Sequence, residues 1–170
     1  MPMNPSEDAV RLLKQVWLDG WGNIKIPVDP IRIADQLGIR VYESAMDENV
    51  SGLLIKEADK DATIFLNEDD HVHRQRFTCA HEIGHFLRRT DRAFQYVDKR
   101  DVFSSAGIDS EEIYANGFAA ELLMPAESVT QFHERGMRDY EMALQFKVSL
   151  EAMRHRLNSL RLSDEAARQA

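Results

Sequence analysis

Residues 81–85 read His-Glu-Ile-Gly-His. On a helix the chain turns about 100° per residue, so positions i and i+4 leave from one face. His81 and His85 can therefore reach one zinc ion together. Glu82 lies beside them and is badly directed to ligate the same ion. It is expected to be the catalytic base, taking a proton from a zinc-activated water and passing it to a leaving amine. Zinc brings the pKa of such a water to about 7, so the chemistry implied is hydrolysis at neutral pH. The flanking pattern supports a helix: Phe77, Ala80, Gly84 and Leu87 recur at a 3-4-3 spacing and predict a buried stripe. Gly84 costs about 1 kcal/mol against alanine in a helix, which predicts a neighbour packed closely against it.

A catalytic zinc usually keeps three protein ligands and one open position. The third is sought on a second long helix, which offers Glu111, Glu112 and Glu121. Glu112, Asn116, Ala119 and Leu123 share one face, which could meet the first helix with Glu112 at the metal and Asn116 hydrogen-bonded to a ligand histidine. A rival reading makes Asp109 and Glu112 a capping box, and spacing alone does not decide between them. Cys79 points about 200° from His81 and is expected to pack rather than ligate. His71 and His73 read as solvated residues at a helix start. His133, Tyr96 and Tyr114 are candidates to stabilise an oxyanion, with nothing in the sequence to choose among them.

These residues need a scaffold. The chain has 170 residues, 44% of them apolar, enough for one domain with a real core or a domain with a small appendage. The net charge of -8 argues against non-specific nucleic-acid binding by the whole surface. A single cysteine allows no internal disulfide and points to the cytoplasm. The polar first ten residues lack a signal-peptide core, and no apolar run is long enough to span a membrane.

Periodicity and punctuation predict a helix over 8–17 and a short helix capped by Asp29 with Pro30 at its first position, closed by Gly38. Strands are expected at 39–43, 52–56 and 62–66, with a hairpin loop at 57–61 between the last two. The active-site helix should run from 70 to 89. An irregular connection follows over 90–108, then a second long helix over 109–124 ended by Pro125, then two or three tail helices. This order predicts an α+β fold.

Two blocks resemble one family. Arg76-Phe-Thr-Cys-Ala-His-Glu-Ile-Gly-His85 and Glu112-Ile-Tyr-Ala-Asn-Gly-Phe-Ala-Ala-Glu-Leu-Leu-Met-Pro125 are similar to the active-site blocks of the ImmA/IrrE metallo-endopeptidases. Weaker likeness runs through Pro27–Pro30, Gly38–Val41, Val50–Leu53, Phe146–Met153 and Arg156–Leu157. The resemblance implies zinc ligands at His81, His85 and Glu112, one zinc per chain, Glu82 as base, and Asn116 as the hydrogen-bond partner of a ligand histidine. It implies a thermolysin-like core: a small, mainly antiparallel sheet, the active-site helix, a second ligand-bearing helix and a helical C-terminal tail. It also implies a cytoplasmic enzyme whose protein substrate is a helix-turn-helix repressor or antitoxin-like regulator.

Residues 1–136 are accordingly read as the metallopeptidase domain. Residues 137–170 are read as a small helix-turn-helix-like tail docked on it. In that tail Leu144, Val148 and a Ser149 cap fit a helix-turn-helix, and Leu150, Met153, Leu157 and Leu160 should face inward. Direct DNA binding by its Arg154, His155, Arg156 and Arg161 is disfavoured by the acidic balance. A rival function is a non-proteolytic zinc-containing module that binds and sequesters the regulator. The third strand, if it is the sheet edge, would pair with an extended peptide through Ile64, Phe65 and Asn67.

Overall fold

The computed structural model describes residues 4–57, 59–89, 94–99 and 110–163, with the main chain alone at 96–99. Helix α1 (Pro5–Val16) starts where the Asn4 side chain accepts hydrogen bonds from the amides of Ser6 and Glu7, with Pro5 in the first turn. It buries Ala9, Leu12 and Leu13. Helix α2 (Pro30–Gln36) is capped by Asp29 in the same way. It ends at Gly38, whose φ of 73° is left-handed backbone suited to glycine.

Strands β1 (Arg40–Ser44), β2 (Val50–Lys56) and β3 (Thr63–Asn67) follow within a residue or two of their expected places. A fourth strand, β4 (Phe94–Lys99), lies inside the stretch expected to be irregular. It pairs only with β2 among the described strands. Its sequence mixes Phe94 and Tyr96 with Gln95, Asp98 and Lys99. Charged residues suit an edge strand, and they erase the apolar alternation by which a strand is recognised in sequence.

The sheet order is β1-β3-β2-β4. β3 runs parallel to β1, opposite Arg40–Ser44, and antiparallel to β2, where Phe65 faces Leu53 and Ile64 faces Leu54. β2 and β4 are antiparallel, so the sheet is mainly antiparallel within an α+β fold. β3 is thus interior and paired on both sides, and its main chain is not available to a peptide. Ile64 and Asn67 are fully buried. The Asn67 amide donates to the Val50 carbonyl at 2.7 Å and its oxygen accepts from the Asp69 amide at 3.1 Å. Phe65 packs beside Tyr42, with ring centroids 5.9 Å apart. The expected substrate contacts at Ile64, Phe65 and Asn67 therefore fail with the edge on which they depended.

Helix α3 (Val72–Arg88) crosses the core face of the sheet, and every residue from Thr78 to His85 is buried. Phe77 and Leu87 are only half-buried, so the buried surface is a mid-helix collar rather than the single stripe expected. On its other side lies α4 (Ser110–Leu123), with α1 packed beyond it. Asp109 falls outside the described residues, and with it the proposed capping box.

Three tail helices follow: α5 (Ala126–Glu134), α6 (Asp139–Phe146) and α7 (Leu150–Ser159). Met142, Phe146, Val148, Met153 and Leu157 belong to the same buried cluster as the residues of α1, α3 and α4. The Ser149 hydroxyl caps α7 as expected, accepting from the Ala152 amide at 3.1 Å. Leu144 points outward with 74% of its surface exposed, and Leu150 sits at the rim, so neither contributes to the core.

Sheet and α3 meet closely at Gly52 of β2. A Cβ there would lie 2.4 Å from Thr78 Cγ2 and 3.2 Å from the Phe65 carbonyl oxygen. A glycine inside a strand commonly marks such an approach. Gly52→Ala should therefore destabilise the protein by about 1–3 kcal/mol, the usual range for overpacking. A urea midpoint equal to that of the unmodified chain would show that α3 can retreat without loss.

Candidate metal centre

His81 and His85 project from the buried middle of α3 toward α4, as their spacing requires. Their Nε2 atoms are 3.0 Å apart. Glu112, in the first turn of α4, completes the triangle: its Oε2 lies 3.5 Å from His81 Nε2 and its Oε1 3.1 Å from His85 Nε2. Ligand atoms about 2.0–2.1 Å from a tetrahedral zinc lie roughly 3.3 Å from one another. The three observed edges straddle that spacing, so one ion fits between them.

The chemistry of the donors fits as well. Asn116, one turn beyond Glu112, has its Oδ1 3.0 Å from His81 Nδ1. An acceptor at that position calls for Nδ1–H, which leaves the Nε2 lone pair facing the shared point. Burial pushes the His85 imidazole down to about 3, with the positive charges of its neighbours acting in the same sense. It is therefore neutral at ordinary pH, as a metal ligand must be. The Glu112 carboxylate oxygens are buried without a conventional hydrogen-bond donor. Burying a carboxylate in this way is costly unless a cation or donor meets it. Among the described residues, His81, His85 and Glu112 are the only His, Cys, Asp or Glu group that converges for a metal.

The other two glutamates of α4 are engaged elsewhere. Glu111 pairs with Arg89 at the end of α3. Glu121 accepts from the Ala126 amide at 2.9 Å, capping α5, and pairs with Arg156 of α7. The spacing of α3 and α4 is set at Gly84, where a Cβ would come within 3.2 Å of both Ala115 Cα and Phe118 Cδ1. The close neighbour expected from the cost of that glycine is the backbone of α4.

Glu82 is fully buried on the sheet side of α3, not on the side of the triangle's third corner. A Cβ on Gly52 would lie 3.7 Å from its Oε1, so the bare glycine leaves room beside the carboxylate. Thr78 lies one turn before Glu82 on the same face. Cys79 is buried and free, and burial pushes its thiol up, with Glu82 and Asp29 adding to the shift. It packs as a small apolar residue, as expected.

Of the oxyanion candidates, Tyr114 donates to Asp8 Oδ2 at 2.8 Å and is tied to α1. His133 sits on α5, which follows the opposite end of α4 from Glu112. The Tyr96 side chain lies outside the described residues. His71 and His73 touch edge to face at the start of α3, with centroids 4.7 Å apart, about two turns from His81.

Sequence reasoning passed over Gly52, Arg88 and Arg89. An isolated glycine in a strand was a usable signal for the first. Basic residues are common at a helix C-terminus, so the two arginines carry no signal of their own. Arg88 Nη1 in fact donates to the Ser110 carbonyl at 3.2 Å, and Arg89 reaches Glu111.

Two packed helices that bring such donors together beside a small sheet make this a metallopeptidase-like domain. The match to known families agrees: residues 34–158 fit the IrrE N-terminal-like domain, Peptidase_M78, and the chain belongs to that family. It is also similar to the uncharacterized immunity region protein 2 of Bacillus phage phi105, with 28% identity over 104 residues. That match covers 61% of this chain and 63% of the phage protein, so the chain spans less than two thirds of that relative.

His85→Ala and Glu112→Ala should each abolish stoichiometric zinc retention through dialysis, read by elemental analysis. Full zinc in Glu112→Ala would mean that the third ligand lies elsewhere.

Proposed function

We propose that this protein is a zinc-dependent endopeptidase that cleaves a helix-turn-helix repressor or antitoxin-like regulator in the cytoplasm. The observation that carries this reading is the meeting of His81, His85 and Glu112 at one point, with Glu82 beside it on the same helix. A zinc ion held there supplies a Lewis acid that brings the pKa of a water to about 7.

The protein's own residues do the rest. Asn116 holds the His81 ring through Nδ1 and so directs its Nε2. Glu82 accepts the proton of the attacking water and returns it to the leaving nitrogen, which departs as the amine. Burial of His81, Glu82 and His85 strengthens these interactions relative to water. The tail, 137–170 in this reading, forms a helical appendage docked on the catalytic domain of 1–136. Arg76 of α3 supports that docking by donating to the carbonyls of Val28 and Lys147 at 2.6 and 3.0 Å.

With β3 paired on both sides, β1 and β4 are the outer strands among those described and the places left for an extended peptide. We assign the peptide to β4, because its neighbour β2 carries Gly52 beside Glu82. A regulator as substrate rests on the family resemblance, and the immunity-region name of the phage relative points the same way.

Glu82→Gln has nearly the same shape but cannot accept the proton. It should keep zinc and lose about 10²–10⁴-fold in cleavage rate. The assay is gel analysis of a helix-turn-helix regulator encoded beside this chain, with chelation and zinc restoration as controls. Cleavage by Glu82→Gln at the unmodified rate would remove this residue from the mechanism. Tight binding of the regulator with no cleavage by the zinc-loaded protein would instead favour a sequestering module.

A further inference from the structure

The three residues that meet at the candidate metal centre are not equally secure. His81 and His85 lie in the buried middle of α3, whereas Glu112 is the third residue of α4. The first turn of a helix lacks half its hydrogen bonds and opens far more easily than the middle. A ligand placed there needs a hold from outside its own helix.

The end of α3 provides one. Arg88 Nη1 donates to the Ser110 carbonyl at 3.2 Å, and its guanidinium lies over the Tyr114 ring at 4.8 Å. The Tyr114 hydroxyl is in turn fixed to Asp8 of α1. Arg89 pairs with the carboxylate of Glu111, the residue just before Glu112. Two consecutive arginines thus grip the backbone and side chain of the turn that carries Glu112.

We propose that Arg88 and Arg89 are positioning residues for the third metal ligand, holding the first turn of α4 so that Glu112 faces His81 and His85. This rests on the zinc reading given above. Their charge works against the alternative explanation. Guanidinium groups near a divalent cation repel it, and near the N-terminus of α4 they also oppose the helix dipole. A through-space role for Arg89 would therefore make its removal tighten zinc binding. A positioning role makes its removal weaken binding, so the sign of the change separates the two.

The experiment measures zinc dissociation constants on the full chain by competition with a chromophoric chelator. It compares the unmodified protein, Arg89→Ala, Glu111→Gln and the double variant. Hydrogen exchange of the 114–116 amides in the metal-free proteins is read alongside, because their helical partners are the carbonyls of the first turn. Arg89→Ala should weaken zinc about 10–100-fold, as expected for a group that orients a ligand. It should also speed exchange at 114–116 while leaving 79–85 unchanged. The double variant should fall short of the product of the two single effects, since both remove the Arg89–Glu111 contact. If Arg89→Ala does not fold, Arg89→Met decides, since it keeps the apolar stem, removes the same charge and contact, and should weaken zinc in the same way. Unchanged or tighter zinc binding in the variant that decides overturns the clamp. An unmodified protein that takes up no zinc overturns the clamp and the zinc reading together. Zinc-loaded unmodified protein with indifferent variants overturns the clamp alone.

Discussion

Gly84 lets α3 and α4 touch, and the rest of the site depends on that distance. With Ala115 Cα and Phe118 Cδ1 each 3.2 Å from where a Cβ would sit, the neighbours offered are a backbone atom and a packed ring. The first can give way only if α4 itself shifts, and the second only if the buried Phe118 ring repacks. One methyl group would press by a few tenths of an ångström between the helix that carries His81 and His85 and the helix that carries Glu112. Alanine is the better helix former by about 1 kcal/mol, so local preference here opposes what the assembly requires. Such conflict between levels is expected where function constrains packing.

Behind that contact, polar ties at both ends of α4 limit its freedom. At its C-terminal end Glu121 faces Arg156, with side chains 5% and 10% exposed, and also caps α5. Removing one partner from such a buried pair typically costs about 3–5 kcal/mol. Arg156 also donates to the Met124 carbonyl at 2.9 Å. Arg76 joins α3 to the loop before α2 and to the turn between α6 and α7. The tail helices therefore press on the same two helices that present His81, His85 and Glu112. Their apolar residues fill one continuous core with them.

Much of this was legible in the sequence, and the exceptions have physical causes. The His81–His85 pair follows from helix geometry alone, and the caps at Asp29 and Ser149 from side-chain chemistry. Choosing Glu112 over Glu111 and Glu121 needed either the family resemblance or the fold. All three residues are acidic on one helix, and only the contacts with Arg89 and Arg156 show where the other two are committed. β4 was invisible because an edge strand carries charges where an interior strand carries valines. The position of β3 in the sheet could not be read at all. Strand order depends on which long-range pairing closes best, and local sequence does not encode that. Leu150 shares the spacing of Met153 and Leu157 and was expected to face inward, yet it sits at the rim at the start of its helix.

Glu112 is separated from His85 by 26 residues that include β4. An ion gripped by both is also a cross-link that closes this stretch of chain into a ring. Closing a ring of that length covalently removes roughly 3–4 kcal/mol of freedom from the unfolded chain. A metal clasp acts in the same sense, and its grip on the folded state rises with free metal concentration. Depletion of an ion held there would thus slacken the architecture around β4 in the same event that empties the proposed catalytic centre.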